Sequence, residues 1–339
     1  MFYFTFLGFL CIILDNVSSQ ATSGVVNGAF YLCLPTGTVC PTVGGGTNTI
    51  DPRIVTPTGT VTPNVCPAGS TPCFGTNTAC GTRFITPNMT TPGSASFGAY
   101  PWQAYLRNAT SAYAGSGVLI SPYYVITAAH KVYLNVNTPT AVTVLMGVYN
   151  PVNLVNVQTS TVTRIAVHPS FVASTLINDI AVLQLTQPIV LGIYTNINTA
   201  CLPAAGTTFV GQQCAVSGWG QSAFSIFDAP SNPQRQIFVS IVNYATCRAS
   251  FAQANLLANN VDMYLDPNGE ICAGGVAMID ACTQDGGAPL VCPSTTNVYS
   301  IAGLVIWGKN CGQQNVYGVY VSVPFYLAWI QSQMTTPAG

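Results

Sequence analysis

Few side chains in this 339-residue chain can do chemistry. The sequence holds two histidines, thirteen cysteines, nine carboxylates and eight basic residues. His130 closes the segment Thr127-Ala128-Ala129-His130, and Asp179 stands in Asn178-Asp179-Ile180-Ala181-Val182-Leu183. An imidazole can take a proton near neutral pH, and a carboxylate beside it can fix its tautomer. Such a pair matters chemically when it activates a hydroxyl or thiol. A third segment, Asp280-Ala281-Cys282-Thr283-Gln284-Asp285-Gly286-Gly287-Ala288-Pro289-Leu290, carries two carboxylates in a glycine-rich turn, and Gly286 in it has no such atom. With two histidines and no C-x-x-C pair, no zinc site or other metal site is expected, and no cofactor is implied.

The elements that must position these residues read as strands. Runs rich in Val, Ile, Thr and Tyr recur between turn signals at Ser116–Ser121, Ala141–Tyr149, Asp179–Leu185, Gln236–Val242, Tyr299–Trp307 and Gly318–Val323. Many short strands without alternating helices predict an all-β barrel or sandwich. One helix is predicted, at the end, where Pro324 sits near its start and Tyr326, Trp329 and Ile330 share a face. At 49% hydrophobic residues, the chain can fill a sizeable core. Its net charge of -1 provides no field for nucleic acid or a membrane surface. Only 5% of residues are charged, against roughly 25% in ordinary proteins. A surface with so few charges is also suited to self-association or to an extracellular matrix.

The three chemical segments resemble those of the trypsin/chymotrypsin family, whose nucleophile loop reads G-D-S-G-G-P. The resemblance covers about residues 98 to 334. Phe97-Gly98-Ala99-Tyr100-Pro101-Trp102-Gln103, Ser217-Gly218-Trp219-Gly220, Ile271-Cys272-Ala273-Gly274-Gly275, Trp307-Gly308 and Gly318-Val319-Tyr320-Val321-Ser322-Val323 follow in the family's order. It implies two six-stranded antiparallel β-barrels, a C-terminal helix and a cleft between the barrels. The first barrel would supply His130 and Asp179, and the second the altered loop. In an active member the serine attacks, the histidine takes its proton and the aspartate orients the histidine. Gly286 stands at the serine position, so the resemblance implies a non-catalytic homologue in which His130, Asp179 and Gly286 are vestigial. Gln284 replaces a glycine whose N–H faces the oxyanion, and Ala288 replaces another glycine. Asp285 would receive the new N-terminus made by activation cleavage. Met89 to Ala99 contains no Lys or Arg, so that ion pair is not expected and a zymogen-like cleft is. Asp280 matches the base of the family's basic-residue pocket, with Trp307, Gly308 and Gly318 around it; the pocket is expected to be vestigial and partly blocked. Ile306 and Tyr317 depart from the family and are expected to narrow the cleft. His168, in a Val-His-Pro loop, is expected to be structural.

The resemblance also implies disulfides: Cys214 with Cys292, Cys247 with Cys272, Cys282 with Cys311, and Cys201 with Cys80. Lys131 follows His130 where the family often has a cysteine, and that cysteine's partner is absent too. Residues 20–80, rich in Thr, Pro and Gly, resemble a reduced clip domain, the module that precedes arthropod protease homologues. Cys33-Leu34-Pro35, Ile50-Asp51-Pro52-Arg53 and Cys80-Gly81-Thr82-Arg83 carry that likeness. The segment has too few apolar residues for a good core and is expected to rely on disulfides. Its four remaining cysteines allow three connectivities, among which the sequence does not choose.

Residues 1–19 read as a signal peptide, with an apolar run too short to span a bilayer. With Cys11 in that leader, twelve cysteines remain, as suits a secreted, extracellular protein. A linker at 81–97, a trypsin-like domain at 98–334 and a tail at 335–339 complete the expected organisation. Asn88 and Asn108 begin glycosylation sequons, and Arg53 is a candidate cleavage and control site. The resemblance implies a cofactor or scaffold in an extracellular proteolytic cascade of the innate-immunity or melanisation type, with clip proteases or prophenoloxidase as partners. The alternatives are a structural or adhesive component of an extracellular material and, third, a residual hydrolase.

Overall fold

The computed structural model describes residues 22–26, 29–40, 65–76, 78–86, 93–220, 231–253, 255–281, 285–294 and 298–335. The expected leader, Arg53, the Asn88 sequon, Gln284 and the tail from 336 lie outside them.

A small sheet opens the described chain: β1 (Ser23–Val26), β2 (Ala29–Pro35) and β3 (Ser70–Phe74), paired antiparallel. After the short β4 (Gly93–Ser94) come β5 (Gln103–Arg107), β6 (Tyr113–Ser121), β7 (Tyr124–Thr127), β8 (Thr143–Met146), β9 (Gln158–Val167) and β10 (Ala181–Leu185). These six strands close a barrel in the order β10-β7-β6-β5-β8-β9. The side-chain period of two is plain on β9. Gln158, Ser160 and Val162 are buried, while Thr161 and Thr163 face water. Leu106, Leu119, Val144, Met146, Val162 and Leu183 fill the barrel.

Six further strands form the second barrel: β11 (Gln213–Gly218), β12 (Arg235–Val242), β13 (Glu270–Gly274), β14 (Pro289–Pro293), β15 (Tyr299–Trp307) and β16 (Tyr317–Ser322). Their order is β11-β14-β15-β16-β13-β12; pairing of β11 with β12 closes the ring, and β4 adds to the edge of β12. Three α-helices accompany the barrels among the described residues: α1 (Tyr244–Phe251), α2 (Val261–Tyr264) and α3 (Val323–Thr335). Helix α1 is not among the elements expected from sequence. Its start is fixed by Asn243, whose side chain accepts a 2.8 Å bond from the Thr246 N–H. Its apolar signal is short, because Cys247, Ser250 and Phe251 alone are buried. Helix α3 buries Val323, Tyr326, Leu327 and Ile330, one face of a 3.6-residue repeat.

The N-terminal sheet has a better core than its composition suggests, because it borrows one. Leu32, Leu34 and Cys73 pack against Val190 and Ile193 of the first barrel. The Ser23 hydroxyl donates to the Pro188 carbonyl at 2.7 Å, and the Thr76 N–H to that of Leu191 at 3.1 Å. Cys33 bonds Cys66 and Cys40 bonds Cys73. Each bridge closes a separation of 33 residues, and such a closure stabilises by about 3–4 kcal/mol through the entropy it removes from the unfolded chain. Cys80 bonds Cys201, Cys214 bonds Cys292 and Cys247 bonds Cys272. Cys311 is disulfide-bonded, while Cys282, its expected partner, lies outside the described residues.

The linker after Cys80 is clamped. Gly81 donates to Thr199 at 2.7 Å and accepts from Tyr299 at 2.9 Å. Its φ is +69°, and a Cβ there would stand 2.4 Å from the Tyr299 carbonyl oxygen, so glycine is required. Two residues on, the Arg83 guanidinium carbon lies 3.7 Å from the ring centre of Tyr299, 4.6 Å from that of Tyr100 and 5.4 Å from that of Trp102. Burial lowers its pKa, against the two tyrosines. Arg83 is therefore an anchor between the linker and both barrels, unlike a basic residue open to a protease.

Arg83→Ala should lower stability by roughly 2 kcal/mol in equilibrium urea unfolding, since it removes several ring contacts at once. Arg83→Lys should recover less than half of that loss, because an ammonium cannot stack as a planar guanidinium does. Native trypsin digestion should leave the Arg83–Phe84 bond intact, read by peptide mapping.

Candidate functional site

Strand β7 delivers His130 to the seam between the barrels. Ala128 and Ala129, just before it, have no exposure, so small residues let the chain turn there in a 3₁₀ helix at Ala129–Lys131. Asp179 precedes β10. Asn178 takes the left-handed φ of 56° that its short amide tolerates, and its side chain accepts 2.7 Å from the Tyr326 hydroxyl on α3. Its amide donates 2.9 Å to Ser170. The Asp179 carboxylate is fully buried. One oxygen accepts the His130 main-chain N–H at 2.7 Å, and the other meets His130 Nδ1 at 2.5 Å. That arrangement leaves Nε2 as the imidazole's outward nitrogen.

Nε2 points at Gly286. A Cβ built on Gly286 would lie 2.6 Å from His130 Nε2 and 2.4 Å from the Lys131 Cε. No nucleophile stands in that direction on residue 286. The loop is nonetheless firmly seated. The Ser116 N–H donates to the Gly286 carbonyl at 3.1 Å, and Gly287 donates to Val305 at 2.8 Å. Asp285 accepts the Gly220 N–H at 2.9 Å. Its carboxylate is thus engaged with the main chain of the second barrel, and the Lys131 ammonium is in electrostatic reach. Burial lowers the Lys131 pKa, opposed by Asp285 and then Asp179.

Asp280 sits beside Gly318, with Gly274 near its other side: a Cβ on Gly274 would stand 3.8 Å from Asp280 Oδ1. A Cβ on Gly318 would stand 3.0 Å from Asp280 Oδ1, and one on Gly308 would meet nothing nearer than the Gly318 Cα at 3.9 Å. Gly318 therefore leaves space beside the carboxylate. Asp280 accepts the Gly312 N–H at 3.2 Å, and burial raises its pKa to about 6. Ile306 does not narrow the cleft: it is 5% exposed and packs in the apolar core, as its neighbours on β15 do. The Tyr317 ring lies against Gly275, where a Cβ would stand 2.4 Å from it. His168 packs edge-on to Tyr326 and Trp329, with ring centres 5.2 and 5.0 Å away. Among the described residues no group of three or more His, Cys, Asp or Glu could hold a metal.

Two residues of this region escape sequence reasoning. Lys131 is one of only two lysines in the chain, and its place beside His130 was its one signal. Glu270 is the only glutamate. It stands in the otherwise uncharged strand β13 and is 5% exposed. Its carboxylate accepts the Asp266 N–H at 3.0 Å. Burial, with Asp266 and Asp179 nearby, raises its pKa to about 8. It is held as a neutral acid at pH 7.

The pattern of a closed pair of barrels, a buried aspartate, an imidazole and a glycine loop has relatives. The description "Trypsin" fits residues 92–330. This chain belongs to the trypsin family. Within that family it is 39% identical over 327 residues to the inactive CLIP domain-containing serine protease A3 of Aedes aegypti, covering 90% of this chain and 67% of that one. It is 32% identical to the inactive CLIP domain-containing serine protease A8 of Anopheles gambiae, over 70% of this chain and 65% of that one. It is 34% identical to protein masquerade of Drosophila melanogaster, over 69% of this chain and 22% of that one. The chain thus spans about two thirds of the inactive relatives' length.

Glu270 gives this trypsin-family fold a pH signature. An acid whose pKa is raised by folding stabilises below its unfolded value and loses that contribution as pH rises through the folded one. Between pH 4.5 and about 8, the wild type should lose up to roughly 1.4 kcal/mol per pH unit relative to Glu270→Gln. Denaturant unfolding at a series of pH values should show the two curves diverging with pH.

Proposed function

We propose that this is a secreted, catalytically inactive serine protease homologue that acts as a cofactor or scaffold in an extracellular proteolytic cascade. The observation that carries the reading is Gly286, which presents no side chain to the outward nitrogen of an otherwise assembled His130–Asp179 pair. Loss of a catalytic serine costs on the order of 10⁶ in turnover. The relatives described as inactive CLIP-domain proteases support the same reading, the A3 relative over 90% of this chain and the A8 relative over 70%. Its five described disulfides suit an oxidising, extracellular setting. Its partners on this reading are extracellular proteins, with clip proteases and prophenoloxidase the first candidates.

With the chemistry gone, the cleft and the docked module are binding surfaces. The space beside Asp280 suits a basic side chain of a partner, because the carboxylate ionises near pH 6 and Gly318, with no side chain, stands next to it. A structural role in an extracellular material is favoured by one observation, the 5% content of charged residues.

The mature protein should not hydrolyse Lys- or Arg-peptide esters, and it should not be labelled by serine-directed phosphonates. Stoichiometric labelling at the cleft would sink the inactive reading. A pull-down from secreted fluid separates the two roles: recovery of a clip protease or prophenoloxidase supports the cascade, whereas recovery of the protein itself in an insoluble secretion supports the material.

A further inference from the structure

We infer that Lys131 is a second closure of the site, separate from the missing serine: its side chain lies across Gly115 and Gly286 and occupies the space a residue 286 side chain would need, in the loop that carries Asp285.

The space is the first argument. The Lys131 stem passes over two glycines from different barrels. A Cβ on Gly115 would lie 2.9 Å from Lys131 Cδ and 3.0 Å from its Cγ. A Cβ on Gly286 would lie 2.4 Å from Lys131 Cε, closer than non-bonded carbons approach. The same point is 2.6 Å from His130 Nε2 and 2.9 Å from His130 Cε1. Any side chain at 286 therefore needs the Lys131 stem, and the His130 ring with it, to move aside. Gly115, Gly286 and Lys131 behave as one unit, in which the two absent side chains make room for the long one.

The charge is the second argument. Asp285 and Asp179 both attract the Lys131 ammonium. Asp285 faces the Gly220 N–H, the close-packed Gly218 and Gly220, and the partly buried Tyr113, whose own ionisation it opposes. Asp179 faces His130. Residues 89–99 offer no Lys or Arg after which a cut could deliver an ammonium to Asp285. Lys131 brings its Cε against Gly286, the residue after Asp285, without a cut. The partly desolvated amine opposes the burial of two carboxylates, as a buried charge requires. Displacing Lys131 thus gives up the attraction of two carboxylates as well as packing.

This inference rests on the inactive reading only for its significance, because it is tested without activity. The test is a melting-temperature cycle on the full mature chain, with disulfides intact. Lys131→Met keeps the stem and removes the charge, and should lower Tm by roughly 3–6 °C. Gly286→Ser should lower Tm by a similar amount. Measured from Lys131→Ala, the serine should cost clearly less than it does in the wild type, because the Lys131 contact is gone and only the His130 contact remains. Additive losses would overturn the spatial claim, and an unchanged Tm in Lys131→Met would overturn the electrostatic one. Should Gly286→Ser fail to fold, ¹³C-lysine labelling of the wild type decides. Two ε-methylene signals are expected from Lys131 and Lys309, the first shielded from a soluble paramagnetic probe and the second not. Equal accessibility of the two would overturn the inference. Phosphonate labelling of the wild type would instead sink the inactive reading, so the two failures are distinct.

Discussion

A carboxylate with no exposure sets the terms at the barrel seam. Asp179 is sealed from water and its charge is held by the His130 main chain and imidazole. Taking away one member of such a pair leaves a buried, unmatched charge and costs on the order of 3–5 kcal/mol. The pair therefore has a structural reason to persist after its chemical one has gone. Asn178 and Tyr326 extend the hold, since the loop that carries Asp179 is tied to the terminal helix. An imidazole and a carboxylate at hydrogen-bond distance are thus compatible with complete inactivity.

The loop at 285–288 shows the same separation of structure from chemistry. Gly287 has φ +82°, and a Cβ there would stand 2.1 Å from the Ser116 carbonyl and 2.3 Å from the Thr127 hydroxyl. The second barrel approaches the first so closely that only backbone fits. Ser217 reinforces the seam by donating to Gln103 across it at 2.9 Å, and Trp219 packs edge-on to Tyr105 at 5.0 Å. What was a nucleophile loop in active relatives is here a rivet between two domains. Its geometry is retained because both cores meet on it.

Much of this was legible beforehand, for physical reasons. Strands announce themselves through β-branched runs, and the family's motifs carry their order along the chain, so the barrels and the positions of His130, Asp179 and Gly286 could be read directly. Helix α1 could not, because Tyr-Ala-Thr-Cys-Arg-Ala-Ser-Phe has neither strong propensity nor a long apolar face; its cap and its disulfide hold it. The N-terminal sheet is as disulfide-dependent as its composition implies, but the sequence could not show the core it borrows from Val190 and Ile193, more than a hundred positions away. Lys131 and Glu270 stayed hidden for a related cause. A single charged residue looks like solvent-facing surface until tertiary packing shows where it points.

The clamp around Arg83 bears on how the molecule meets others. The borrowed core ties the small sheet to the first barrel, and the Cys80–Cys201 bond and the aromatic box around Arg83 fix the linker that follows it. Two modules on a loose tether lose orientational freedom each time a ligand bridges them, and that loss subtracts from affinity. Here the loss is met once, during folding. A ligand that touches both the small sheet and the first barrel finds a composite face already set, so its binding is governed by shape match and by the rate at which it leaves.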